Sequence, residues 1–195
     1  MTSRRNNPEQ VKSSEDLALD AAREAILAVG WSKTTLTDIA RRAGLSRMTL
    51  YRRWPEMNAL LGDLMTREWD QLITLPAGAD ARAAIVDGVV ATVAALRENE
   101  LFARIVELDP QMLLPYLLER TGRSQDHVLD LLVTGISAGQ QAGAVRDGDP
   151  RLLARTLVLT AHGFTLSART MTTNRIGTAD LDRELAALLE RYLTP

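Results

Sequence analysis

Twenty residues, Thr35 to Trp54, leave the backbone little choice; they read TLTDIARRAGLSRMTLYRRW. Thr35 supplies a side-chain oxygen for the open N–H groups of a helix start, and Asp38 follows three residues on, close to a capping box. Gly44 suits the position past a helix end, where the chain turns through positive φ at little cost to glycine alone. Ser46 repeats the cap for a second helix, which Pro55 stops because its ring and missing N–H forbid continuation. Ile39, Ala40 and Ala43 fall on the inner face of the first helix, and Leu50 and Trp54 on that of the second, at i, i+4 spacing. Arg47, Met48, Thr49, Arg52 and Arg53 are left looking outward. A tight turn followed by a short helix with an arginine-rich outer face has the layout of a helix-turn-helix that reads DNA.

The same residues carry a resemblance. The pattern T-x-x-x-I-A-x-x-A-G-L-S-x-x-T-L-Y-x-x-W is similar to the signature of the TetR (tetracycline repressor-type) family of bacterial transcription regulators. Thr35, Ile39, Ala40, Ala43, Gly44, Ser46, Leu50, Tyr51 and Trp54 fall in register with it, which makes the match far denser than a bare helix-turn-helix pattern. One departure stands nearby. The family usually carries a lysine in the first turn of the next helix, close to the DNA backbone; here W-P-E-M-N-A-L places Met57 there, beside Glu56.

Composition agrees with an all-α chain. Aromatic residues make up 4% of the 195, Ala, Leu, Arg and Glu dominate, and these are good helix formers. No alternating apolar and polar stretch bounded by turn signals asks to be a strand. The expected architecture is an N-terminal three-helix DNA-binding domain followed by a C-terminal helical bundle. The reading divides the chain into an arm (1–13), a helix-turn-helix domain (14–55) and a helical body for ligand binding and dimerisation (56–195). Net charge is −2, but its distribution is uneven. Residues 1–54 carry ten basic and six acidic side chains, the remainder thirteen and nineteen. A basic head on an acidic body suits a protein that presents one end to a polyanion. With no cysteine, disulfides, thiolate catalysis and cysteine-ligated zinc are excluded. No run approaches the ~18 apolar residues of a membrane span, and the N-terminus lacks the apolar core of a signal peptide, so a soluble, cytoplasmic protein is expected.

Along the chain, Arg4, Arg5 and Lys12 lie on a polar arm suited to phosphate contacts. A first helix is expected over Glu15–Val29, with Leu17, Ala21, Ala25 and Val29 as its apolar stripe. A long helix follows from Met57 to Ile73, closed by Pro76 and Gly78. Asp80 caps one reaching Asn99, Leu101–Glu107 forms a short one, and Asp109-Pro110 opens another. Ser124 is read as the cap of a helix to Gln141. Arg151–Thr170 is nearly all apolar from Leu157 to Leu166 and is expected to be buried on most sides. Ala179–Leu193 closes the chain.

By matching position in the family, Arg47 and Arg53 are placed to pair with guanine edges, each such pair worth ~1–3 kcal/mol of discrimination. Met48 suits a thymine methyl, Arg52 either role, and Thr35, Thr37, Thr49 and Tyr51 phosphate contact. One head buries too little surface for selective binding, and two-fold dimers solve this by reading half-sites ~34–36 Å apart on double-stranded operator DNA. The resemblance implies a homodimer joined by the last two helices, with Leu153, Leu157, Ala161, Leu185, Leu189 and Tyr192 as its expected contacts. Sequence does not separate their core face from their partner face. The body is expected to hold a small, mainly apolar effector among Met65, Trp69, Phe102, Ile105, Met112, Tyr116, His127, His162 and Phe164. The family mechanism would then release the operator when the effector binds. A body that binds a protein partner, or no effector, is the alternative. No cofactor is called for, and the two histidines lack carboxylates at metal-ligand spacing.

An enzyme is disfavoured. Gly135-Ile136-Ser137-Ala138-Gly139 imitates a nucleophile elbow, but it sits in a helical pattern with no strand before it.

Overall fold

The computed structural model describes residues 12–73 and 80–195; the arm residues Arg4 and Arg5, and the expected stop at Pro76 and Gly78, lie outside them. Among the described residues every regular element is helical. The chain divides into two compact units, one ending at Leu64 and the other starting at Met65. The boundary therefore lies within a helix rather than at Pro55, and the first turns of that helix belong with the head.

In the head, α1 (Ser14–Val29) starts from a full capping box, Ser13 accepting from Asp16 N–H and the Asp16 carboxylate accepting from Ser13 N–H. Its buried face is Ala18, Leu19, Ala21, Ala22, Ala25 and Ile26. The expected stripe was rotated: Leu17 and Val29 are exposed. Small alanines let α2 (Leu36–Arg42) approach closely, and α3 (Arg47–Arg53) packs on α2 in turn. Thr35 and Ser46 cap these two helices as read, accepting from Asp38 N–H at 3.2 Å and Thr49 N–H at 3.1 Å. Gly44 between them has φ +67°, a region a Cβ makes costly. Leu50 and Trp54, like Ile39 and Ile26, are buried in this unit. α4 (Met57–Asp70) follows, ending three residues short of the expected Ile73.

In the body, Asp80 caps α5 (Ala81–Glu98), accepting from Arg82 and Ala83 N–H. Asn99 then ends α5 and caps α6 (Glu100–Leu108) through Phe102 N–H at 2.9 Å. Asp109-Pro110 opens a single 3₁₀ turn, Pro110–Met112, before the short α7 (Leu114–Leu118). α8 (Arg123–Gln141) begins earlier than read. Its N-cap is Gly122, whose N–H donates to Gln125 Oε1 at 2.7 Å, and Ser124 is buried in the first turn. The elbow-like pentapeptide lies inside α8, where Ser137 donates to the Val133 carbonyl. Gly139 is required there, because a Cβ would lie 2.5 Å from Val145.

Asp149 caps α9 (Pro150–Met171), and α10 (Thr178–Leu193) closes the chain. α5 packs against α8, α9 and α10, enclosing a core built from Val86, Leu132, Ile136, Leu153, Leu157 and Leu185 among others. Arg97 on α5 forks both carboxylate oxygens of Asp182 on α10 at 2.6 Å. α9 is not buried on most sides: Leu152 and Leu159 are 62% and 71% exposed, seven residues apart on one open face.

Candidate DNA-reading face and effector cavity

The head's outward face is α3. Met48 is 78% exposed and Tyr51 45%. Arg47 and Arg52 are exposed and make no ion pair among the described residues. Thr49 shares a hydrogen bond of 2.9 Å with the Ser46 hydroxyl, so it stands at the very start of α3. Thr35 is exposed, its hydroxyl donating to Asp38, while Thr37 is half-buried. A helix of this kind offers two uncommitted guanidiniums and an apolar tip to a groove.

Arg53 differs from what its spacing predicts. Its Nε and Nη2 donate to the Glu15 carboxylate of α1 at 3.1 and 3.0 Å, and Nη2 also lies 3.1 Å from Asp63 of α4. Its guanidinium sits 5.2 Å from the centre of the Trp54 ring, and the Glu15 hydrogen bonds hold its pKa above the ordinary arginine value. Asp63, nearly buried, also accepts the Trp54 indole N–H at 2.7 Å. Arg53 is thus a bracket that fixes the end of α3 rather than a free base reader. Glu15 lies 38 residues away in sequence, so periodicity within α3 could not reveal it.

The body contains a cavity of about 150 Å³ between its helices. Trp69 and Phe102 line it, edge to face with ring centres 6.3 Å apart. Aliphatic side chains such as Val89, Val93, Leu132 and Leu157 make most of the wall. No Asp, Glu, Lys or Arg lines it among the described residues. Its polar groups gather round Gln125, whose Nε2 lies 3.4 Å from the Tyr116 carbonyl and 3.2 Å from His162 Nε2. Burial pushes the His162 pKa below the ordinary histidine value.

With both sites in view, likeness to known proteins becomes informative. The profile of the family described as "Bacterial regulatory proteins, tetR family" matches residues 18–64. Over 176 residues, 90% of this chain and 92% of the relative, the sequence is 34% identical to an uncharacterised HTH-type transcriptional regulator of Mycobacterium tuberculosis. The chain belongs to the TetR family. It is a TetR-type transcriptional regulator with a DNA-binding helix-turn-helix. Solved structures share its fold. The TetR family repressor AlkX from a Dietzia strain, implicated in biodegradation of n-alkanes, matches with a TM-score of 0.67, at 18% identity over 92% of this chain and 95% of that one. FadR from Bacillus subtilis, in complex with stearoyl-CoA, matches at 0.64, with 19% identity over 91% of this chain and 98% of that one.

Of the nine residues expected at a TetR effector site, the cavity brings together Trp69, Phe102, Tyr116 and His162. Met65 and Ile105 are buried elsewhere, Met112 is half-buried in the 3₁₀ turn, and Phe164 packs on the core with its carbonyl facing Arg97. His127 is exposed and is corrected outright, since α8 turns Val128 and Leu132 inward and His127 away. Gln125 was missed: a glutamine in a helix's first turn gives no signal until Tyr116 and His162 are folded against it.

Four of the six expected dimer contacts, the leucines, are also corrected, while Ala161 and Tyr192 stay partly exposed. Leu153, Leu157, Leu185 and Leu189 lie in the chain's own core with almost no exposure, Ala161 lines the cavity, and Tyr192 is stacked by Arg146 at 4.5 Å. A side chain already spent on its own core has no surface to offer a second copy. The apolar groups that these helices do expose are Leu152, Leu159 and Met171 on α9 and Leu188 on α10.

Proposed function

We propose that this regulator binds a palindromic operator as a homodimer, acts as a repressor, and is released by a small, mainly apolar effector held in the body. The cavity carries the effector half of this reading, because a wall without charges rewards apolar burial at roughly 25 cal/mol per Å². Arg47 and Arg52, exposed and without an ion pair among the described residues, read base edges or phosphates, with Met48 at the tip and Thr35, Thr37, Thr49 and Tyr51 at backbone height. Arg53 aims the helix. Leu152, Leu159 and Leu188 form the contact with the second copy, since exposed leucines on two neighbouring helices mark an unpaired surface. The stearoyl-CoA bound by FadR and the n-alkane role of AlkX support an apolar effector for a related fold.

The test is selection of duplexes from random and genomic DNA by the purified protein at two salt concentrations. Enrichment of one inverted repeat, with affinity falling on added salt at a slope of about −0.9 per phosphate contact, is the expected result. No enriched sequence, and no binding even at low salt, would overturn the reading.

A further inference from the structure

We infer that the effector is a neutral molecule with a compact, single-ring apolar body and one hydrogen-bond acceptor, which is taken by His162 Nδ1–H. This rests on reading the body as an effector receptor. The argument begins at a backbone amide. Gly122 N–H is a donor, so the Gln125 atom 2.7 Å from it is the carbonyl oxygen. Both hydrogens of the Gln125 amide then point the other way, toward the Tyr116 carbonyl and His162 Nε2. A nitrogen that receives an N–H must offer a lone pair, so His162 is neutral there with its proton on Nδ1. Nδ1–H has no partner among the described residues, although His162 lines the cavity.

Among the wall's hydroxyls, those of Thr92, Thr165 and Ser124 are less directive. The Thr92 and Thr165 hydroxyls donate to the Gly88 and Ala161 carbonyls of their own helices, and so cannot donate to a guest as well. The Ser124 hydroxyl, also on the wall, rotates freely and imposes no direction. His162 and Trp69, whose buried indole Nε1 has no partner among the described residues, are thus the wall's two donors whose direction a ring fixes. Of these, His162 is the one whose ring is itself held by Gln125, in a wall with no charged side chain among the described residues. A carboxylate, phosphate or ammonium entering it would lose hydration without a counter-charge. Size limits the body of the guest: a dry apolar cavity of ~150 Å³ in another protein accepts benzene.

The test uses the full-length protein and three probes of one shape: acetophenone, ethylbenzene and benzoate, with binding followed by titration calorimetry at pH 8. Acetophenone and ethylbenzene are expected to bind and benzoate not to. His162→Phe should weaken acetophenone about tenfold, the scale of leaving one buried acceptor unpaired, while changing ethylbenzene less than about twofold on the same reasoning. His162→Asn, which returns an amide N–H near the level of Nδ1, should recover most of the acetophenone affinity. Ethylbenzene binding reports that each variant is folded. Equal loss of both probes in His162→Phe, or benzoate binding tightest, overturns the inference. So does failure of all three probes while the operator is still bound; loss of operator binding itself would instead sink the regulator reading.

Discussion

The head shows its chemistry on the outside, and the body keeps its own inside. α3 presents Arg47 and Arg52, exposed and without an ion pair among the described residues, whereas the cavity wall has no charged side chain among the described residues. The two solve opposite problems: a polyanion is met by exposed, uncommitted cations, and a small apolar guest by removing everything that prefers water. The difference also decides what a sequence can reveal. An exposed face follows from spacing along one helix. A cavity exists only after five or six helices have met.

The sharpest way to break the comparison is in the body's core. Leu185→Ala is expected to lower unfolding free energy by ~2–5 kcal/mol, equally at low and high protein concentration, as measured by urea unfolding. Leu159→Ser, on the open face of α9, should leave a single chain within ~0.5 kcal/mol and weaken self-association in sedimentation. If the two variants exchange behaviour, the assignment of core and partner faces is reversed.

In the head, Arg47→Ala is expected to reduce affinity for the selected operator by ~1–3 kcal/mol and relax preference at one base position. Arg53→Ala should instead weaken all sequences alike and lower the head's stability by ~1 kcal/mol or less, the range for exposed ion pairs. A base-specific loss at Arg53 would restore it as a reader. Gly44→Ala should cost ~1–2 kcal/mol, although nothing lies within 4 Å of the added Cβ, because the penalty lies in the backbone angle alone.

The smallest effect belongs to His162. Its folded pKa lies below the ordinary 6.5, so the unfolded chain takes up its proton first as the solution is acidified. Stability contributed by the neutral ring is complete above 6.5, falls as pH drops through that value and levels off below the folded pKa. Urea unfolding between pH 8 and 5 should show this loss in the parent and a shallower one in His162→Asn.

Legibility followed the range of the forces. The caps at Thr35, Ser46, Asp80 and Asp149 were all readable, since a cap and its amide sit two or three residues apart. Ser124 misled because Gly122 caps α8 through a glutamine reaching backward, a contact no hydroxyl advertises. The α1 stripe was off by a rotation because alanines, not leucine and valine, set its buried side. Leu153 and Leu159 are the same residue type on one helix, six positions apart, and only packing against α5 and α10 tells them apart.

The Arg53 bracket has a further consequence for how salt acts on this molecule. Two of its members, Arg53 and Glu15, remain about half open to solvent, so dissolved ions screen the bracket as well as the duplex. Salt then competes twice, once for the phosphates and once for the aim of the reading helix. A plot of log affinity against log salt for the parent should therefore bend downward at high ionic strength, and the bend should vanish when Arg53 is gone.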